Sequence, residues 1–374
     1  MATSGKLSSE DSLAERLRAR IEREGPITFC EWMSAALYDD RDGYYCRADR
    51  IQQGRTGDYR TAPETSPLFA ATFAFYFSKL FADLKWPPSF TLFESGAGNG
   101  EFAQGVLQSL KTNAPEVFEV THYVIDEISP AARHRAAARL SKFADRVSFQ
   151  SFKDINSPAA AGVVFSNELI DAFPVHRVIG REGGLRELFV GVDEKNFVWS
   201  ERDLDEDVAE YCRRDGLELA EGQIAEINLE AERFIMRAAG LVERGYVITV
   251  DYGAERNELR NAPNRQSGTL RAFHRHQMLQ DVLAAPGDQD LTTTIDWTQL
   301  MEAGERAGLR TLRLERLDQF LGGEGLLSLL GDMANSARDS VDVVQLSLSA
   351  RELILPTGMA ASFQVLLQEK VARG

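Results

Sequence analysis

The residues most able to do chemistry lie in the stretch Phe93-Glu94-Ser95-Gly96-Ala97-Gly98-Asn99-Gly100. Three glycines at alternate positions let a chain turn sharply and let a ligand lie against bare backbone. Alone, such a loop is weak evidence, since a tight strand-to-helix turn needs the same residues. The flanking acids sharpen it. Glu94 stands two residues before the first glycine, where a carboxylate suits a cationic ligand. The next apolar run, Tyr123-Val124-Ile125, ends in Asp126-Glu127, and one of these acids can accept two hydrogen bonds from a ribose diol. A dinucleotide fingerprint needs a small residue three places after its second glycine. Glu101 occupies that place and would repel a pyrophosphate at the helix N-terminus. The acid-glycine-acid order therefore points to S-adenosyl-L-methionine (SAM), whose ammonium and sulfonium are cationic. Asp154, past the third strand, is placed to accept from an adenine amino group, with a loop or helix-cap role the equal alternative. The chain contains no Walker A motif, which disfavours a nucleotide triphosphatase.

A second constellation follows Val163-Val164-Phe165, in Ser166-Asn167-Glu168 and Leu169-Ile170-Asp171-Ala172-Phe173-Pro174. Asn167 is assigned to the cofactor site. Methyl transfer from SAM needs a positioned, desolvated nucleophile. A guanidinium acceptor needs more, because arginine is protonated at ordinary pH. Paired carboxylates can grip it bidentately, and one can receive the departing proton. Glu168 and Asp171 are the candidates, three residues apart and able to share a face of a helical turn. A helix cap plus a rim glutamate is the competing reading. Asp251, after Val247-Ile248-Thr249-Val250, can line the same cleft as a substrate contact. His274 and His276 lack a Cys or acid cluster beside them, so a structural or substrate role is expected rather than metal binding.

Positioning these residues requires a sheet. Short apolar runs at 90–94, 121–127, 147–152, 162–167 and 245–251 alternate with helical or turn segments. This grammar predicts a mainly parallel α/β sheet. Two further runs, about 309–316 and 362–369, complete seven strands of a doubly wound, Rossmann-like sheet whose last strand can run antiparallel. Large insertions, 168–244 and 252–308, follow the fourth and fifth strands. They fall where open α/β sheets bind ligands. Residues 1–89 are read as an N-terminal helical, substrate-lid region and 90–374 as the SAM-binding domain. Within 1–89, helices are predicted from Ser12 to about Glu24 and from Ile27 to Leu37, the latter with Thr28 as N-cap and Glu31 three residues later. A third, Leu68 to Leu84, is apolar nearly all round. It reads as a buried helix, with a subunit interface and hence a homodimer the sharper alternative.

Composition narrows the partners. The net charge of −15 makes general nucleic-acid binding a poor fit and suits a basic protein partner better. Three scattered cysteines without a CxxC pair fit reduced thiols and argue against structural zinc. No apolar run reaches the length of a membrane span. Met1 to Glu10 lacks a signal-peptide core, and Glu10 and Asp11 are unlike a presequence, so a cytoplasmic location is expected.

These motifs resemble those of the MidA-type SAM-dependent methyltransferases, a family that includes the mitochondrial methyltransferase assisting assembly of respiratory complex I. The resemblance begins at Gly25-Pro26-Ile27-Thr28 and Asp42-Gly43-Tyr44-Tyr45 and continues through Gly57-Asp58-Tyr59-Arg60-Thr61-Ala62-Pro63-Glu64-Thr65-Ser66 and the glycine loop. It takes in Glu127-Ile128-Ser129-Pro130, Asn167 to Val175, Asp251-Tyr252-Gly253, Gly268 to Phe273 and Pro286 to Thr292. The family often has Pro where Ala97 stands. The resemblance implies a seven-stranded methyltransferase sheet, SAM as cofactor and a protein substrate methylated on arginine. It favours Glu127 over Asp126 as the ribose ligand. Cofactor contacts are thus expected at Glu94, Gly96, Gly98, Gly100, Glu127, Asp154 and Asn167, and substrate contacts at Asp58 and Asp251. An assembly factor with little catalysis, or a small-molecule methyltransferase, are the alternative functions.

Overall fold

The computed structural model describes residues 11–47, 66–274, 277–335, 340–355 and 357–371. Asp58 and His276 lie outside the described residues. The chain divides into two compact units. One comprises 1–52, 172–230 and 255–294, the other 53–171, 231–254 and 295–374.

The second unit carries the seven-stranded sheet. Its strands are β1 (Phe90–Ser95), β2 (Thr121–Asp126), β3 (Val147–Phe149), β4 (Gly162–Asn167), β5 (Gly245–Asp251), β6 (Leu309–Arg316) and β7 (Gln364–Lys370). Their spatial order is β6-β7-β5-β4-β1-β2-β3. The pairs β5–β4, β4–β1, β1–β2 and β2–β3 are parallel, while β7 runs antiparallel to both β5 and β6. The seven runs and the reversed last strand are as expected from sequence. The chain winds outward from β1 to β3, then returns to place β4 on the other side of β1. Ligand sites of doubly wound sheets open at such a switch point, beyond the strand C-termini.

One face of this sheet is covered by α3 (Pro67–Asp83) and α4 (Glu101–Asn113). The two helices approach closely at Gly105, where a Cβ would come within 2.5 Å of the Ala70 Cβ. Phe102 on α4 stacks on Phe165 of β4 at 4.3 Å, and Phe73 on α3 packs edge-on against Phe165 at 5.0 Å. The phenylalanines of α3 thus fill the core between helix and sheet. The helix was grouped with the N-terminal region in sequence, but it belongs to the sheet unit.

The first unit opens with α1 (Leu13–Glu24) and α2 (Phe29–Tyr38). Both start on capping boxes, Ser12 with Glu15 and Thr28 with Glu31, which satisfy amide donors that a helix start leaves unpaired. Most of the insertion after β4 folds here. Strands 176–181, 184–193 and 224–227 form an antiparallel sheet with Ile27–Thr28, and 196–202 pairs with 184–193. Residues 271–274, 277–279 and 290–292 form a smaller sheet.

Candidate functional site

The glycine loop leaves β1 directly into α4. Gly96, Gly98 and Gly100 all take left-handed backbone, with φ of 73°, 53° and 75°. A side chain at these positions costs roughly 1–2 kcal/mol each, so glycine is required three times in five residues. A Cβ on Gly96 would stand 2.8 Å from Leu169 Cδ1, in the segment after β4. One on Gly100 would stand 3.0 Å from the Ala136 Cβ. The loop is anchored from β2: Gly96 N donates to Asp126 O at 2.8 Å and Gly98 N to Glu127 Oε2 at 2.7 Å.

Three acids surround the loop. Glu94 is buried near the C-terminal end of β1 and accepts from Tyr123 Oη at 2.7 Å. Burial pushes its carboxyl up to about 8, with the Glu127 charge adding and the Tyr123 hydrogen bond opposing. Glu127 accepts from Gly98 N and, through Oε1, from Ser129 N at 2.8 Å. Burial raises its pKa against the pull of those two amides. Asp126 instead accepts from Phe152 N at 3.0 Å. It thereby holds the single turn Phe152–Asp154, whose Asp154 is exposed. Glu101 does not face the loop as an isolated charge. It pairs with Arg139 at 2.8 Å, which weakens the repulsion argued from sequence.

The ends of β4 and β5 carry the second cluster. Asn167 Nδ2 donates to Glu168 Oε1 at 3.1 Å, while Asn167 Oδ1 is buried without a hydrogen-bond partner among the described residues. Glu168 has a φ of 51°, a conformation rare outside glycine, and its N–H donates to Val250 O at 2.9 Å. Strain of this kind persists where surrounding structure imposes it and concentrates at functional sites. Residues Ile170–Ala172 then form one 3-10 turn. Asp251, fully buried on β5, accepts from Ile170 N at 3.1 Å, Asp171 N at 3.3 Å and Tyr252 N at 2.8 Å. Tyr252 Oη in turn donates to Asp171 Oδ2. Burial and the adjacent Asp171 raise the Asp251 carboxyl well above the usual range.

Glu168, Asp171 and Asp251 therefore lie together, but not as two carboxylates on one helical face. The αL residue and the Asp251 clamp turn Asp171 inward, where it is 5% exposed, and leave Glu168 part-exposed. Asp251 spends its oxygens on backbone amides. Sequence reasoning missed Tyr123 and Tyr252, both of which serve acids at the strand ends. Tyr252 adjoins Asp251 in sequence and was the more findable; Tyr123 reads only as a strand aromatic. His274 bonds the Asp288 carbonyl through Nδ1 at 2.7 Å. In the same unit Tyr45 Oη donates to Asp290 Oδ1 at 2.6 Å, joining the Asp42–Tyr45 and Pro286–Thr292 motifs.

A bare left-handed glycine backbone, flanked by the buried Glu94, the half-buried Glu127 and an Asn167 amide oxygen without a hydrogen-bond partner among the described residues, fits a cationic nucleoside such as SAM. Comparison with known proteins agrees. Residues 72–314 match the family described as S-adenosyl-L-methionine-dependent methyltransferases. The mitochondrial protein arginine methyltransferase NDUFAF7 homolog of Drosophila melanogaster is 28% identical over 82% of this chain and 73% of its own length. The mitochondrial human protein arginine methyltransferase NDUFAF7 is 25% identical over 89% of this chain and 79% of its own. A solved Burkholderia thailandensis protein bound to S-adenosyl-homocysteine superposes with a TM-score of 0.84 at 28% identity, covering 99% of this chain and 96% of that one. The cytoplasmic location expected from the N-terminal residues is corrected by these curated relatives, which are mitochondrial. An N-terminus unlike a presequence was too indirect a sign to carry that expectation.

Proposed function

This chain belongs to the family of S-adenosyl-L-methionine-dependent methyltransferases, and from that premise we propose that it methylates an arginine of a protein substrate. SAM, when bound, supplies a methyl group already activated on a sulfonium. The residues of the chain bind it, orient the acceptor and manage the proton. In this reading Gly96, Gly98 and Gly100 offer bare backbone, and Glu94 faces the ammonium. Glu127 is pre-oriented by the Gly98 and Ser129 amides, and a carboxylate holding two N–H groups still has lone pairs for a ribose diol. Asp154 takes the adenine amino group, and the buried Oδ1 of Asn167 is an acceptor awaiting a donor.

The carboxylate cluster at the ends of β4 and β5 is the observation that carries the acceptor assignment. Glu168 and Asp171 present carboxylates where a guanidinium would be gripped and partly desolvated, beside the buried Asp251. Glu168 is the part-exposed member and takes the proton the attacking nitrogen gives up. Asp171, held by Tyr252, acts as the second arm, while Asp251 sets the geometry of the turn. Asp58 is retained as a proposed substrate contact on its motif alone. The relatives' names and the net charge of −15 support a basic protein substrate.

The test is transfer of labelled methyl from SAM into a lysate, followed by identification of the labelled residue. Methylarginine in a protein is expected. Label on lysine or a small molecule would sink the arginine assignment.

A further inference from the structure

The antiparallel sheet of the first unit has one long open edge. Strand 196–202, Asn196-Phe197-Val198-Trp199-Ser200-Glu201-Arg202, pairs with 184–193 along its whole length and with no other described strand. An edge of this kind is a template for another extended chain, and proteins blunt it with charge, proline, bulges or short length. Other edges of this protein are blunted. β6 carries Arg310, Arg313 and Arg316 and a register break between Thr311 and Arg313. β3 is three residues long. Strand 224–227 is four residues long, and its Ile224 is bridged to Ser267. In strand 196–202 the register is unbroken, and Phe197 to Ser200 carries neither charge nor proline.

The hairpin decides which backbone groups point outward. Glu194 and Lys195 form a two-residue loop, with Asp193 opposite Asn196 and a φ of 52° at Glu194. The pair flanking such a loop exchanges both hydrogen bonds, and bonded pairs then alternate along the ladder. Asn196, Val198, Ser200 and Arg202 therefore bond 184–193, and the N–H and C=O groups of Phe197, Trp199 and Glu201 face away from it. These outward groups have no backbone partner among the described residues. Trp199 stands at this edge 37% exposed, with the Phe29 ring 5.1 Å away. Both ends of the edge are acidic. Glu201 and Asp203 hold Arg181 and Arg186. Beyond those pairs, the exposed Asp193 and Glu194 outweigh Lys195 at the loop. At the far end Asp205, Glu206 and Asp207 outweigh Arg202.

We propose that this edge binds an extended, basic segment of the protein substrate as an added β-strand. The proposal rests on the protein-arginine reading above and adds where that protein docks. Main-chain hydrogen bonds to Phe197, Trp199 and Glu201 supply affinity with little demand on sequence. A Lys or Arg stem of the segment lies along the exposed part of the Trp199 ring. The acidic ends select positive charge and speed encounter. A second copy of this chain is the poorer occupant. Antiparallel pairing of two such edges would set acidic end against acidic end, on molecules that each carry a net charge of −15.

The experiment presents the full chain with three synthetic peptides: alternating arginine and valine, the same peptide with every second amide N-methylated, and alternating glutamate and valine. Hydrogen exchange is read amide by amide. Without peptide, the amides of Phe197, Trp199 and Glu201 should exchange fast and those of Val198 and Ser200 slowly. The arginine peptide should slow the first set about tenfold or more and change the second little. The N-methylated and glutamate peptides should bind about tenfold or more weakly by fluorescence anisotropy. Trp199→Lys and Glu201→Pro should weaken the arginine peptide in the same way, with far-UV circular dichroism and SAM affinity retained. Equal binding of the N-methylated peptide, or protection elsewhere than at the three outward amides, would overturn the proposal. So would a dimer in sedimentation that Trp199→Lys dissolves, since the edge would then belong to a second copy. The exchange pattern needs no variant, so it stands even if a variant misfolds. Methylarginine formed in the lysate by a chain that shows no edge binding would sink this proposal alone. Edge binding with the lysate label on lysine or a small molecule would instead sink the arginine reading.

Discussion

Tyr123 Oη donates a 2.7 Å hydrogen bond to Glu94 Oε2, so the acid that precedes the glycine loop is enclosed and tied to the neighbouring strand. Burial shifts Glu94 up to about 8 from an ordinary 4.5, against the pull of that hydrogen bond. An acid whose folded pKa is raised stabilises the fold fully below its unfolded value. That contribution fades as pH rises toward and through about 8. Thermal melts without cofactor should show this decline. Cofactor binding should run the other way. A SAM ammonium favours ionised Glu94, so affinity should climb with pH and level off near 8, with proton release detectable by calorimetry in buffers of different ionisation enthalpy. Tyr123→Phe removes the bond that holds the acid down, and its plateau should move to higher pH. A pH-independent affinity for SAM would remove Glu94 from the ammonium site.

Glu168 holds a left-handed backbone that glycine adopts without penalty. Glu168→Gly should therefore leave the protein as stable or up to about 1 kcal/mol more stable. Methyl transfer should fall about a hundredfold or more if Glu168 takes the proton. Glu168→Gln keeps size and strain and should lose activity alone, with SAM affinity little changed. Denaturant melts and single-turnover methylation read the two effects separately. Activity surviving in both variants would assign the strain to the turn and not to the chemistry.

Gly96→Ala tests the loop. The new Cβ meets Leu169 Cδ1 at 2.8 Å on a backbone with φ of 73°. The side chain can yield, but the backbone strain remains, about 1–2 kcal/mol. SAM affinity should drop tenfold or more by calorimetry, with a smaller loss of thermal stability. Unchanged affinity would mean that the ligand does not lie against this turn.

Asp251 is predicted to be a structural residue of the site. Asp251→Ala leaves the Ile170, Asp171 and Tyr252 amides without their acceptor and should cost about 2–4 kcal/mol. Asp251→Asn keeps an acceptor and removes a charge that burial penalises, so it should cost less. Urea unfolding of the two variants decides this. Tyr252→Phe should keep the fold and lower kcat with little change in the KM for SAM, because it removes the hydrogen bond that holds Asp171. Equal destabilisation by Asn and Ala would show that the charge itself holds the turn.

The alternating strands, the glycine loop and the helix starts were legible in the residues alone. Each is a local property. Apolar periodicity reports which face is buried, left-handed turns demand glycine, and a capping box needs residues only three positions apart. Which of these residues meet depends on how the strands are ordered in space. Asp251 was expected to face substrate, and register with β4 instead sets it under the amides of the next turn. Glu101 met Arg139, Tyr123 met Glu94, and His176 met Glu187. These pairings follow from strand order and crossovers, which bring residues far apart in the chain within hydrogen-bond reach, and local pattern carries no record of that distance. The acids were legible as acids; whether each one holds a ligand, a neighbour or the backbone depended on burial and partners that only the folded sheet supplies.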